Sequence, residues 1–277
     1  MSSLFMRFAV RALARALVRT VVRTLALLAV GLSAVCHADT VLITGANSGI
    51  GLEFAKQYAA KGWTVIATHR HDSPPASLQA LTGRYHNVQV ERMDVTNQAQ
   101  IDALVAKLKG VPIDVLINNA GVYRDENNKN GQSFGKLDFA LCDTIMAVNV
   151  KGPLMVTQAF VDNVRASKQK KIVNISSTNG SITKPLAGNG AIFYRASKAA
   201  LNREMLLVAG ALKPDHIIVA LLHPGAVLTE RQENLRGTYP GMVETDFSVT
   251  HMVATIGKLT MQDSGRFQLY DGSTVPW

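Results

Sequence analysis

Val41-Leu42-Ile43-Thr44-Gly45-Ala46-Asn47-Ser48-Gly49-Ile50-Gly51 decides how this chain is read. Three apolar, β-prone residues enter a turn with glycines at 45, 49 and 51, and an amphipathic stretch, Ile50 to Lys61, follows until Gly62 stops it. A strand passing through a glycine-rich turn into a helix presents backbone N–H groups at a helix N-terminus, where the dipole favours anions. Gly45, Asn47, Ser48, Gly49, Ile50 and Gly51 are therefore candidates for holding a dinucleotide pyrophosphate. The spacing is not G-x-G-x-x-G, and a ligand-free strand-to-helix connection is the alternative reading.

Working outward, short apolar runs alternate with amphipathic stretches. Strands are expected at Val41 to Ile43, Thr64 to Thr68, Val88 to Arg92, Val115 to Ile117, Ile172 to Ile175, Ile217 to Leu222 and Phe267 to Tyr270. Further helices are expected at Gln98 to Leu108, Phe139 to Lys168 with a break near Gly152-Pro153, and Ser197 to Leu212, which Pro214 closes. Near-continuous apolar strands separated by helices predict an α/β fold, a doubly wound parallel sheet of about seven strands with helices on both faces. No linker or repeat divides residues 39–277, which read as one domain. Arg124 to Gln132 reads as a surface loop.

The net charge of +9 is concentrated at the start of the chain. Arg7, Arg11, Arg15, Arg19 and Arg23 precede an apolar run, Leu25 to Val30, and no acidic residue occurs before Asp39. Residues 1–38 therefore fit an export signal or membrane-surface anchor, an organelle-targeting segment, or an extension from an early start codon. Membrane contact is expected only through this leader. The remainder shows no basic stripe with interleaved aromatics, which argues against nucleic-acid binding. Two cysteines, Cys36 and Cys142, support neither a disulfide framework nor a metal site.

Tyr194-Arg195-Ala196-Ser197-Lys198 carries the chemistry. Residues i and i+4 stack on one helical face, so a Lys198 ammonium can lie against the Tyr194 phenol and pull its pKa down from the usual value near 10. A surface pair is the alternative reading.

With this pair downstream, the Gly45–Gly49–Gly51 spacing resembles the short-chain dehydrogenase/reductase family over essentially all of residues 40–277. Asn118-Asn119-Ala120-Gly121 matches the family's NNAG signature after the fourth strand, and Asn149, within Val148-Asn149-Val150, matches its catalytic asparagine. Ile175-Ser176-Ser177 ends the fifth strand, and Pro224-Gly225 with Val227 and Thr229 follows the sixth. The Tyr194 to Asn202 run and the ending from Ser264 to Trp277 are most similar to the C-factor and sniffer-like subgroup of carbonyl reductases.

The resemblance implies a single-domain Rossmann fold and hydride transfer between nicotinamide and a carbonyl or alcohol carbon. Tyr194 would be the general acid/base and Lys198 would lower its pKa and hold the nicotinamide ribose. Ser177 would hydrogen-bond the substrate oxygen, and Asn149 would brace a water leading from Lys198 to solvent. Beyond the glycine turn, Tyr194 and Lys198, cofactor contacts are implied at Asp94, Val95, Asn118, Ala120, Gly121, Pro224, Gly225, Val227 and Thr229. After the second strand the chain has Thr68-His69-Arg70 with no carboxylate, so Arg70 favours NADP(H) over NAD(H).

Several residues keep local alternatives. Ser176 and Ser177 also suit capping, Asp94 suits a turn, and Asn118 suits a tie between strands. Ser181 stands nearer the family's usual serine–tyrosine spacing, but Ser177 lies at the strand edge where ligands bind, and the loop Gly188-Asn189-Gly190 can absorb the difference. Leu228 to Phe247 falls where relatives carry a substrate-covering loop, with Met242, Val243 and Phe247 as pocket candidates. The partner is a small carbonyl or alcohol; a homodimer or homotetramer is a family expectation. A nucleotide-binding regulatory protein of the same fold is the second reading.

Overall fold

Thr40–Ile43 (β1) is an interior strand of a parallel sheet, with a neighbour on each edge and apolar side chains on both faces. The computed structural model describes residues 38–123, 131–184, 190–237 and 241–277. The leader up to His37, most of the expected 124–132 loop and most of the Gly188–Gly190 loop lie outside the described residues. Ala38 to Trp277 form one compact unit.

From β1 the chain runs through Gly49–Ala60 (α1), Thr64–His69 (β2), Ala76–Arg84 (α2), Val88–Arg92 (β3), Gln98–Lys107 (α3) and Val115–Asn118 (β4). Phe139–Met146 (α4), a π-helical turn at Ala147–Lys151, and Gly152–Arg165 (α5) lead to Lys171–Ile175 (β5). Ile192–Leu212 (α6), Ile218–His223 (β6), Ala226–Leu228 (β7), Met242–Glu244 (β8), Thr245–Lys258 (α7) and Phe267–Leu269 (β9) complete it. The main sheet has seven parallel strands in the order β3-β2-β1-β4-β5-β6-β9, and β7 pairs with β8 apart from it.

Alternation along the strands divides the core. Val41, Ile43, Val65, Val115, Ile117 and Val173 face Phe54 and Tyr58 of α1 and Val249 and Met252 of α7. Leu42, Ile66, Leu116, Ile172 and Leu221 face Ile101 of α3, Phe160 of α5 and Met205 of α6. Phe139–Arg165 is long and apolar enough to cross a membrane, yet Ile145, Val150, Val156, Phe160 and Val164 are buried within the domain.

Strand order reverses at β1, leaving the crevice of a doubly wound sheet between the C-terminal ends of β1 and β4. Polar side chains weld that joint. Thr44 Oγ1 accepts from the Asn119 and Ala120 N–H groups at 3.0 Å each, while Asn119 Nδ2 donates to the carbonyls of Thr44 and Gly45 at 3.0 and 3.1 Å.

Some expectations need correction. α6 begins at Ile192 rather than Ser197, so Tyr194 is inside the helix, and α2 and α7 were not expected as helices. Most of the expected covering loop has secondary structure: β7, a 3-10 segment at Glu230–Leu235, β8 and the start of α7. Val243 packs on the Gly225 turn, and Phe247 lies on α7 against His251 and Tyr270.

Asn118 takes the strand-tying role. It is 3% exposed, and its Nδ2 donates at 2.9 Å both to Thr157 Oγ1 on α5 and to Asn174 Oδ1 on β5. Asn118→Ala is expected to lower unfolding free energy by about 1–3 kcal/mol in urea titration, because it strands buried acceptors, without changing dinucleotide affinity. Unchanged stability with weakened cofactor binding would place this amide on the ligand instead.

Candidate active site

The glycine turn after β1 forms one wall of a cleft of about 310 Å³. Gly45, Asn47, Ser48, Gly49, Ile50 and Gly51 line it, as do Arg70, Asp94, Val95, Ala120, Gly121 and Thr229. The turn has no room for side chains at its base: a Cβ on Gly51 would stand 2.4 Å from both Asn119 Nδ2 and the Gly45 carbonyl. The helix-start N–H groups thus remain close to the cleft, as an anion site requires.

Asn118 lies outside this lining, and Asn119 stands in it. Pro224, Gly225 and Val227 are also outside; they form the turn after β6 and the first part of β7, with Pro224 and Val227 buried. His71 and Glu230 line the cleft without having been singled out from sequence, and so does His69, quoted there only as the neighbour of Arg70. Glu230 is the more consequential. Ser48, the N-cap of α1, makes no side-chain cap, and Glu230 Oε2 instead accepts from the Gly49 N–H at 3.2 Å. A carboxylate thus occupies one of the donors that a phosphate would use.

Gly121 links the cleft to the reacting residues, since a Cβ there would lie 3.4 Å from Asn149 Oδ1 and 4.0 Å from Lys198 Nζ. Tyr194 and Lys198 occupy successive turns of α6. Lys198, 6% exposed, donates from Nζ to the Ile175 carbonyl at the end of β5 at 2.8 Å, and Nζ stands 5.8 Å from the Tyr194 ring centroid. Ser177, the residue after Ser176 at that strand end, is the hydroxyl neighbour that lowers the Tyr194 pKa, and its Oγ also caps the following turn by accepting from the Asn179 N–H at 3.2 Å. Ser181 Oγ likewise accepts from a nearby backbone group, the Lys184 N–H at 3.1 Å, and of the two serines Ser177 is the one that acts on the Tyr194 phenol.

The turn carrying Ser177 packs directly on the helix backbone. A Cβ on Gly180 would lie 2.6 Å from the Lys198 carbonyl carbon, a clash that glycine avoids. Ser176 Oγ donates to Asn202 Oδ1 at 2.5 Å, and Thr178 Oγ1 lies 3.3 Å from His223 Nε2. Burial, reinforced by the charges of Lys184 and Lys198, holds His223 at about 4, neutral at ordinary pH.

Burial also revises the expected effect of Lys198 on Tyr194. Packing around the phenol pushes its pKa up to about 12, against the lowering from the Ser177 hydrogen bond. Lys198 is pulled down to about 8 by the same loss of water. In the resting site desolvation of the phenol therefore outweighs the attraction between a phenolate and the tethered Lys198 ammonium. Asn149 is fully buried in the π-helical turn, and its amide is committed: Oδ1 accepts from Val122 N–H at 2.8 Å, and Nδ2 donates to Val122 O at 2.8 Å and Ser197 Oγ at 3.0 Å. A water held by this residue would have to use its main-chain carbonyl. Among the described residues no group of three or more His, Cys, Asp or Glu could hold a metal ion.

Comparison with known proteins matches this geometry. The family model for short chain dehydrogenase matches residues 39–248. A 1-hydroxy-2-glutathionyl-2-methyl-3-butene dehydrogenase of Rhodococcus is 32% identical over 86% of this chain and all of its own. C-signal of Myxococcus xanthus is 36% identical over 60% of this chain and 93% of its own. The NADPH-bound carbonyl reductase from chicken fatty liver superposes with a TM-score of 0.77 at 32% identity, over 87% of this chain and all of that one.

Removing the carboxylate at the glycine turn should favour an anionic ligand. In fluorescence titration with NADPH, Glu230→Gln is expected to bind roughly two- to fivefold more tightly than the native protein, the scale of one charge at a helix end. Weaker binding would mean that Glu230 supports the ligand rather than competing with it.

Proposed function

The chain belongs to the short chain dehydrogenase family, and we propose that it is an NADP(H)-dependent oxidoreductase of carbonyl reductase type, with Tyr194 as general acid/base. The observation that carries this reading is the grouping of Tyr194 with Lys198 one turn further along α6, its Nζ 5.8 Å from the phenol ring centroid, and with Ser177 as the hydroxyl neighbour of that phenol. All three converge at the C-terminal edge of the parallel sheet, where ligands bind in open α/β folds.

The residues fit a nicotinamide dinucleotide. Gly51 leaves the backbone bare at the α1 N-terminus, and Arg70 stands in the cleft with His69 and His71 beside it. The first carboxylate after β2, Asp72, does not line the cleft and is paired with Arg92 at 2.7 Å. A guanidinium and no free carboxylate at this position suit a 2′-phosphate, in keeping with the NADPH bound by the chicken relative. Bound there, the reduced cofactor supplies a hydride to the substrate carbon.

The protein supplies the proton and the field. Tyr194, kept as phenol by burial, donates to the substrate oxygen as negative charge grows on it. Ser177 adds a hydrogen bond to the same oxygen in a site where little water competes. The Lys198 ammonium stabilises the tyrosinate left behind, and the Asn149 carbonyl holds the water through which the proton returns. The substrate is a small carbonyl compound or alcohol. The likeness to C-signal favours, as a second reading, a regulatory nucleotide-binding protein; the assembled Ser177–Tyr194–Lys198 set argues for turnover.

NADPH oxidation against a panel of aldehydes, ketones and quinones tests the reading. Tyr194→Phe is expected to lower kcat by at least roughly a hundredfold with NADPH affinity kept. The native rate should hold to about pH 8 and decline above it as Lys198 loses its charge. Equal rates for the native protein and the Tyr194→Phe variant would exclude Tyr194 as the acid, and NADPH binding without turnover on any carbonyl would favour the regulatory reading. Separately, Arg70→Ala should weaken NADPH roughly tenfold or more while leaving NADH nearly unchanged; equal losses would remove Arg70 from phosphate recognition.

A further inference from the structure

The helix that bears Tyr194 and Lys198 starts without a cap of its own. Ala191 stands at the N-cap of α6 with φ +58° and ψ +37°, and its methyl cannot accept a hydrogen bond from the first helical N–H groups. Those groups have no intrahelical partner, and a cap side chain ordinarily accepts from the second or third of them. Tyr194 is the third residue of this helix.

Gln132 supplies the missing acceptor from 62 positions away in sequence. Its Oε1 accepts from the Tyr194 N–H at 2.8 Å, and its main-chain carbonyl accepts from the Ile192 N–H at 3.2 Å. The other end of the same amide donates from Nε2 to the Tyr123 carbonyl at 2.6 Å. The Tyr123 ring stands edge-on to the Tyr194 ring, 4.8 Å between centroids at 81°. Gln132 is 5% exposed, so each lost bond would leave a poorly hydrated polar group.

We propose that Gln132 is a positioning residue for Tyr194: a helix cap supplied from a distant loop of the same chain that fixes the first turn of α6 and holds the Tyr123 ring against the catalytic phenol. This rests on the reductase reading. Lys198 lies a turn further along the helix and is independently tied to Ile175. Loss of the cap therefore frays the turn carrying the proton donor while leaving the lysine and the nucleotide cleft in place. The selective loss of chemistry over cofactor binding distinguishes a positioning role from simple support of the fold.

Two variants test it. Gln132→Met keeps the shape but removes both side-chain bonds. Gln132→Glu keeps an acceptor for the Tyr194 N–H, and it regains a donor toward the Tyr123 carbonyl only when the carboxyl is protonated. Gln132→Met is expected to lower kcat roughly tenfold or more, the scale of a small misplacement of a reacting group, with NADPH Kd close to native. Gln132→Glu should retain more activity, and its kcat relative to native should rise as pH falls. Hydrogen exchange at the Tyr194 amide should speed up in Gln132→Met and stay slow in Gln132→Glu. An unchanged kcat in Gln132→Met would overturn the proposal, as would parallel losses of kcat and NADPH affinity with no recovery of Gln132→Glu at low pH. If the native protein turns over no carbonyl, the reductase reading fails by itself. The cap is then decided by exchange alone, and undiminished protection of the Tyr194 amide in Gln132→Met overturns it.

Discussion

The joint between the ends of β1 and β4 is the constraint on which the site depends. Thr44 and Asn119 hold it with four hydrogen bonds, two from each side chain's polar groups to the opposite backbone. The glycine turn leaves β1 on one side of this joint and Asn119-Ala120-Gly121 leaves β4 on the other. Their separation sets the width of the cleft. With Asn119 Nδ2 and the Gly45 carbonyl it binds both 2.4 Å from where a Cβ of residue 51 would be, the bond that closes the joint is also the reason residue 51 must be glycine. The Asn119 side-chain N–H groups are committed to two backbone carbonyls, so its donors shape the cleft by what they hold together.

From that joint the site extends through close backbone packing. Gly121 brings the β4 loop against Asn149 and Lys198, and Gly180 brings the β5 turn against the backbone of α6. Each approach excludes water, and each buried polar group is then under pressure to find a partner. Most of them have: Asn149 with Val122 and Ser197, Ser176 with Asn202, Lys198 with Ile175. Side chains so matched have one low-energy placement, which is the preorganisation that catalysis needs.

Sequence made the frame legible because strand and helix periodicity are local signals. The seven main-sheet strands fall within a residue or so of their expected bounds, whereas spacing alone made the glycine turn and the Tyr194–Lys198 pair only candidates, and the family resemblance gave them roles. What escaped depends on contacts distant in sequence. α2 follows Pro74-Pro75 and buries only Leu78 and Leu81, too few apolar positions for a clear period. α7 starts after the Pro240-Gly241 stretch, whose turn residues suggested a longer loop. Asn118 and Asn119 are adjacent and chemically identical, and only the pleat of β4 sends one toward β5 and the other toward the turn. Gln132 looked like loop because nothing near it in sequence shows that α6 needs a cap. Glu230 has no local signature at all, since its role follows from a contact 181 positions away.

The protonation pattern gives the proposed chemistry a defined starting state at neutral pH. A tyrosine at about 12 holds its proton, and a lysine at about 8 is mostly charged, so the resting pair is phenol and ammonium. Reduction begins from that state, needing a proton to give and a positive charge to steady the tyrosinate that remains. Alcohol oxidation needs the opposite starting point, with the phenol already ionised, and burial opposes this by more than the Ser177 hydrogen bond returns. Desolvation therefore does two things at once. It strengthens the hydrogen bonds aimed at the substrate oxygen, and it stores the proton where carbonyl reduction consumes it.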